Sequence, residues 1–444
     1  MNPCAKLLGV AGAAVIMTAC AGPSRTYRAD LNNQIAAGNY AGAIAQIDAA
    51  KEREYGKKNA VLYYLDRGMV QHDQGDYKGS DESLDSAERR MEELYTKSVS
   101  RGVGTFLIND NTTEYAGEAF ERALMNVTRA LDYLFLGVRD EALVEARKVT
   151  AWLARFNDYM QDRSGYKDSA FAQYLSAMLF EEDGKADDAR ISYNAASSAY
   201  GWYGGYYGTE APSFDVPAYN DLARKGLGEL VFIHYNGKAP MKVSRTMQVA
   251  WNDAMIAVNQ DQEQDPEELG RFRNAVNAGV LGNAITVAYP VYVQDPYEIS
   301  ISRVMVDSTT VQTQLMEDVS AIARRSLEEK NAAIMGRAIA RATIKFVLAK
   351  AAADEAEKQG GQAFGLLTRV VTNAVAAATE VADTRGWTTM PAQIRMARAA
   401  LPPGRRDVAV TFVGRHGEVQ GSCVFRDVEI VKGRRTYLHY RTAQ

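Results

Sequence analysis

Glu118 and Glu121 stand three residues apart, a spacing that places two carboxyl groups on one face of a helix. In a cleft, such a pair can divide the acid and base roles of cutting a glycosidic bond. Arg122 and Arg129 occupy neighbouring turns, so the charge pattern favours the plainer reading, an ion-pair lattice bracing adjacent helices. Trp202 and Tyr203 sit in the run Tyr200–Gly208, where rings on a glycine loop can stack on sugar faces. Packing at a domain edge, with hydroxyls reaching water, is the more ordinary role. Trp387, beside Arg385 and Asp383, is either a ligand-stacking ring or a buried anchor, and the second is preferred.

Other chemistry is excluded by spacing and charge. The four histidines, at 72, 234, 416 and 439, form no pair at metal-ligand spacing, so no metal is expected. Gly102-Val103-Gly104 and Gly226-Leu227-Gly228 lack the further glycine and the lysine that cradle a phosphate, and no nucleophile elbow is present. No cofactor and no catalytic residue is assigned on these grounds. With 51 Lys and Arg against 55 Asp and Glu, the net charge is −4. No basic run is longer than a pair such as Arg405-Arg406 or Arg434-Arg435, which argues against a nucleic-acid partner.

Cys20 carries a different chemistry. Thirteen uncharged, mostly apolar residues from Leu7 to Ala19 follow Lys6 and end at Met17-Thr18-Ala19-Cys20. The run has signal length and is too short to span a bilayer. It resembles a bacterial lipobox, with Met17 where leucine is more usual, which implies a signal peptide over residues 1–19 and lipidation, palmitate included, at Cys20. Ala21, not being aspartate, resembles the default that Gram-negative cells route to the outer membrane. The protein is thus expected to be lipid-anchored there, facing the periplasm or exposed at the surface, on a short tether over residues 20–26. Loss of Lys6 takes the net charge to −5, and Cys423 is left without a disulfide partner within one chain. The most apolar later stretch, Phe364 to Val381, is broken by Arg369 and Glu380.

The elements that position these residues divide the chain at about residue 210. Over residues 27–210 one short pattern occurs four times: Gly38-Asn39-Tyr40 with Ala43, Gly75-Asp76-Tyr77 with Ser80, Gly137-Val138-Arg139 with Ala142, and Gly184-Lys185-Ala186 with Ala189. Each predicts a tight turn opening a helix, and an apolar helical stripe follows every turn. Gly68, Ala130 and Ala177, seven residues before their turns, allow close approach of the preceding helix. The pattern resembles the tetratricopeptide repeat, a solenoid of antiparallel helix pairs. The glycines are 37, 62 and 47 residues apart, so the array is degenerate, with an insertion near Ser100–Thr113. A generic helical bundle is the alternative.

That resemblance implies a concave face made of Leu62, Leu65, Met69 and His72, then Leu124, Val127, Leu131 and Leu134, then Phe171, Tyr174, Met178 and Glu181. So apolar a groove would expose a large sticky surface if empty. Either the second half of the chain fills it, the favoured reading, or an apolar partner segment does.

Residues 211–444 change to alternating periodicity, with strands expected at Glu229–Tyr235, Ile285–Val293, Ile299–Val306, Val408–Val413, Cys423–Val431 and Thr436–Tyr440. Between the two groups a long helical hairpin is expected over about 315–384, broken at Gly360-Gly361. The predicted class is α+β, mainly α: a tetratricopeptide-like array followed by a β-rich domain with an inserted helical hairpin. Tyr115 with Glu118–Arg122, Leu131-Asp132-Tyr133-Leu134, Glu145-Ala146-Arg147, the Gly226–Pro240 block and Asp383–Trp387 with Pro391 resemble an uncharacterised family of Gram-negative outer-membrane lipoproteins. No activity is established for that family. The expected function is a non-enzymatic scaffold or adaptor holding protein partners of a cell-envelope assembly. The alternatives are a peptidoglycan- or polysaccharide-binding or -cleaving protein, and an accessory lipoprotein of a secretion or surface-organelle system.

Overall fold

A computed structural model describes residues 22–100, 113–159, 166–250, 284–360 and 382–443. The signal run, Cys20 and most of the Ser100–Thr113 insertion lie outside these residues. Each glycine turn joins two helices: α1 (Arg25–Ala36) and α2 (Tyr40–Ala50), α3 (Ala60–Gln74) and α4 (Tyr77–Ser100), α5 (Ala119–Phe135) and α6 (Arg139–Tyr159), α7 (Ala170–Glu182) and α8 (Ala186–Tyr207). Gly38, Gly75, Gly137 and Gly184 have φ of 69°, 86°, 78° and 73°, left-handed values that a side chain resists. In each, the glycine N–H bonds to the carbonyl three residues back and the next N–H to the one five back, as in Gly75 to His72 and Asp76 to Gln71. Closing the helix end this way satisfies its last carbonyls and reverses the chain, so one short pattern produces one hairpin four times.

Successive hairpins pack through their stripes. Ile47, Leu84, Ala146 and Ala196 are buried. Gly68 brings α3 against α4, because a Cβ there would lie 2.6 Å from the Leu84 side chain.

After the Pro212 and Pro217 segment and the short α9 (Tyr219–Leu222), the chain becomes strand-rich. It runs through β1 (Gly228–Asn236), β2 (Met241–Ala250), β3 (Ala284–Val293), β4 (Ile299–Val306), β5 (Thr309–Gln312) and β6 (Gln314–Glu317). The long helix α10 (Val319–Gly360) follows, then β7 (Gln393–Leu401), β8 (Gly404–Gly414), β9 (Val419–Ile430) and β10 (Arg435–Thr442). One sheet has the order β10-β1-β7-β6, a second β5-β4-β8-β9, and β2 pairs β3 as a separate ribbon. β1 runs parallel to β10 and antiparallel to β7. Strand alternation makes the first sheet the middle layer. Val231, Ile233 and Tyr235 of β1 share one core with the helices, while Leu230 and Phe232 share another with Val304, Val408 and Phe412 of the second sheet. The class is α+β.

Three expectations are corrected. Residues 22–26 are not a tether: Pro23 is buried, Ser24 caps α1, and Arg25 and Thr26 belong to that helix. The Tyr200–Gly208 stretch is not a loop: it is the last two turns of α8, where Tyr200, Tyr203 and Tyr207 repeat at helical spacing and bury one face. The glycines between them, at 201, 204 and 205, face open space and so do not break the helix. Nor does the helical insertion run over 315–384. Leu315 and Met316 belong to β6, and α10 starts only after Asp318, whose carboxylate accepts from the Ala321 N–H at 2.8 Å. Residues 382–388 carry no helix. The returning arm expected at Ala363–Thr384 otherwise falls outside the described residues.

Candidate functional site

Ten of the twelve groove positions are buried, with Tyr174 and Glu181 half-buried. What covers them is the helix-facing side of the first sheet together with α10. A small pocket along this joint, between Phe120, Leu124, Phe171, Val319, Ile322 and Ile394 among others, has room for about 10 Å³, no more than one water. Polar side chains buried in the joint form four clusters, and the sequence candidates fall among them.

Glu118 and Glu121 lie at the start of α5. Glu121 reaches back to accept the Glu118 N–H (2.9 Å), half of a capping box. It also accepts from the Tyr115 hydroxyl (2.6 Å) and the Trp387 N–H (2.8 Å). Glu118 turns the other way, to the ammonium groups of Lys242 on β2 (2.5 Å) and Lys330 on α10 (2.7 Å). Burial would raise the Glu118 pKa, but the two lysines outweigh it and hold the carboxyl well below its usual range. Burial and the Glu118 charge push Glu121 upward instead. The two environments separate the pair as an acid and a base would be separated, yet every carboxylate oxygen is held by a donor from its own chain. Arg122 and Arg129 do form a lattice, with Glu92 and with Asp81, Glu88 and Glu145, but Glu118 is not in it.

Trp387 is 1 % exposed. Its indole N–H donates to the Thr389 hydroxyl (2.9 Å), which donates to Asp66 of α3 (2.9 Å). Asp66 also accepts from Tyr55 (2.9 Å), and burial pushes it up to about 6. The ring is therefore packed inside and has no face free to stack on a ligand.

The second cluster surrounds His72. Asp132 binds the His72 Nδ1 (2.6 Å) and accepts from the Ser80 hydroxyl (2.6 Å). The serine thus contacts the carboxylate and not the imidazole, which is not the order of a nucleophilic triad. The His72 ring lies 5.5 Å from Tyr235 and 4.6 Å from His439. Beside it, Asp73 faces the His439 Nε2 (3.8 Å) and Arg441 Nε (3.9 Å) with no hydrogen bond to either oxygen. Burial raises Asp73 to about 6 and pushes His439 well below the usual imidazole value.

In the third cluster Arg435 of β10 donates to Glu229 (2.9 Å), Glu181 (2.5 Å) and the Met178 carbonyl (2.8 Å). Arg398 of β7 bonds Glu229 and the Tyr174 hydroxyl (2.6 Å). In the fourth, Glu317 accepts from Tyr166 (3.2 Å), Tyr203 (3.3 Å) and the Phe171 N–H (3.4 Å), and burial pushes it up to about 7. Tyr203 is thus buried, and Trp202 stacks on Tyr206 at 4.5 Å, under which Arg325 of α10 lies.

Lys242, Lys330, Asp73, Glu229, Glu317, Arg398 and Arg435 were missed in the sequence. One signal was available: Arg435, Tyr437, His439 and Arg441 alternate along a recognised strand, so its polar face is the one that meets the helices. Outside the joint, an open cleft of about 610 Å³ lies beside Gly137, Arg139, Glu141, Glu182, Tyr219 and Arg434. Its charges are of both signs, and Arg139 pairs with Glu182 (3.0 Å). Among the described residues, no three His, Cys, Asp or Glu side chains are grouped to hold a metal ion, and no helix is long and apolar enough to cross a membrane. No family model matches the sequence, and no curated protein matches it.

Proposed function

We propose that the chain is a lipid-anchored scaffold of the outer membrane, facing the periplasm, whose helical half is a degenerate tetratricopeptide-like array with its groove filled by its own second half. The four equivalent glycine turns and the consecutive hairpins support the array. The observation that carries the scaffold reading is the use of Glu118, Glu121 and Trp387: the side chains best suited to chemistry on a glycan bind the two halves to one another. Partners then meet the outer surfaces, the cleft at Arg139 and Arg434 included, and not the groove.

The lipid anchor, the resemblance to the Gram-negative lipoprotein family and the scaffold role are tested together in cells. Wild-type chain should take up labelled palmitate and fractionate with membranes. Cys20→Ala should lose the label and either leave the membrane or accumulate as uncleaved precursor. Crosslinking capture should return envelope proteins with the wild type and lose them with charge reversal at Arg139 and Arg434. Retention of label in Cys20→Ala sinks the anchor. Glycan cleavage in a zymogram that vanishes with Glu118→Gln and stays lost when Lys242→Met restores the fold sinks the scaffold.

A further inference from the structure

Residues 22–24 are pinned to the body of the molecule. Pro23 is buried, and Gly22 lies so close to Arg385 that a Cβ on it would stand 3.0 Å from the Arg385 Cγ. The Ser24 N–H donates to Glu54 (2.9 Å), and its hydroxyl accepts from the Tyr27 N–H to open α1. Cys20 is two residues before Gly22, so its Cα stands within about 7 Å of that glycine even in a fully extended chain. The headgroup layer of one bilayer leaflet is about 5–7 Å deep. A body fixed at residue 22 therefore has no spacer to hold it away from a membrane in which Cys20 is acylated.

The surface at this end is assembled from distant parts of the chain. Tyr27 meets Tyr55 (3.2 Å between hydroxyls), the Tyr115 N–H donates to the Lys58 carbonyl (2.8 Å), and Arg385 donates to the Thr113 carbonyl (2.7 Å). Arg25, Arg53 and Lys57 are exposed there and Lys58 is half-buried, against the acids Asp30, Glu52 and Glu54, with Arg53 ion-paired to Glu54 (3.3 Å). The nearby carboxylates of Asp383 and Glu114 are paired with Arg385 and Arg90. In a chain of net charge −4, this end carries more cations than anions among the described residues.

We infer that this end of the molecule is a membrane-contact face, seated on the bilayer with Arg25, Arg53 and Lys57 against anionic phospholipid headgroups. The inference rests on the lipid-anchored reading above and adds to it an orientation and a lipid class. Each cation near an anionic surface strengthens binding roughly fivefold at moderate salt.

The test uses the acylated full-length protein in vesicles of phosphatidylethanolamine and phosphatidylglycerol at about 3:1, with a fraction of the headgroups nitroxide-labelled. In a Cys423→Ser background, a fluorophore is placed at Glu52→Cys or, on the second sheet and outside all of these contacts, at Val419→Cys. Quenching at position 52 should exceed that at 419 severalfold. A second arm measures sedimentation of the chain with Cys20 replaced by serine. Its partition should favour phosphatidylglycerol over phosphatidylcholine vesicles, and Arg53→Ala with Lys57→Ala should weaken it by roughly 25-fold. Equal quenching at the two positions of an acylated chain overturns the membrane face while leaving the anchor intact. Equal partition into the two vesicle types overturns the headgroup contact. A wild-type chain that takes no acyl label overturns the anchored reading, and the seating with it.

Discussion

Replacing Glu118 with glutamine should unfasten the ribbon and α10 from the helical half. The parent carboxylate has two ammonium partners, and the Lys242 side chain is 4 % exposed while that of Lys330 is 23 % exposed. At an effective dielectric of about 20, one such pair at about 4 Å gains roughly 4 kcal/mol of attraction. Removing one member of a buried pair strands the other, which typically costs about 3–5 kcal/mol. Glu118→Gln should therefore lower unfolding free energy by about 3 kcal/mol or more, most of it from the stranded Lys242, since Lys330 can turn to water. Adding Lys242→Met should recover the larger part of the loss. The assay is urea unfolding of the Cys20→Ser chain, followed by circular dichroism, on the parent, both single variants and the double. Because the folded carboxyl ionises below its ordinary 4.5, its stabilisation is complete above that pH and is lost as the pH falls through the folded value. The gap between parent and variant should narrow in the same range. A Glu118→Gln midpoint indistinguishable from the parent at pH 7, or a double variant as unstable as the single, would refute the clasp.

Glu317 runs the other way: its folded value of about 7 lies above its ordinary 4.5, so the fold binds a proton between them and the parent loses stability as pH rises through that window. Glu317→Gln should gain on the parent between pH 5 and pH 8 by up to about 3 kcal/mol, and thermal shifts of equal size at both pH values would count against it. Leu131→Asp, at a fully buried groove position, should destabilise by ~2–5 kcal/mol while Val419→Asp, on a 66 % exposed side chain, leaves the melting point in place. If Leu131→Asp melts normally but abolishes partner capture, the groove is open in solution. Trp387→Ala should lose about 3–5 kcal/mol and Trp387→Phe only about 1, the share of the indole bond to Thr389. Similar losses for both would show that the hydrogen bond, and not the buried ring, sets the anchor.

The hairpins were legible because a glycine forced into left-handed φ leaves a mark in four short words, β1 because Leu230–Ile233 is an unbroken apolar run that stops before Asn236-Gly237, and β4 and β10 because apolar and polar residues alternate along them. β7 was not, since Arg395 and Arg398 interrupt its alternation, and partners far away in sequence leave the first half-buried and the second buried. β6 was absorbed into the helix that follows because Leu315 and Met316 continue an apolar pattern that only Asp318 ends. The rings of Tyr200–Gly208 read as a loop because four glycines accompany them, and nothing local shows that those glycines face open space. Of the candidate site, the residues at one end of each contact were visible. Their partners were not: Lys242 and Lys330 lie 124 and 212 residues beyond Glu118, and Thr389 lies 323 beyond Asp66. Spacing within a helix cannot report a contact of that range.

The position of β10 bears on how the molecule is made. This strand lies beside β1 and delivers Arg435, Tyr437, His439 and Arg441 to helices far earlier in the chain, with Met178 and Arg435 257 residues apart. Until the first sheet is complete, Met69, Leu131 and Met178 lack their full cover, and closure over so long a loop is slow. Chains in which this closure has not yet happened would thus offer chaperones and proteases an apolar trough that the folded protein conceals.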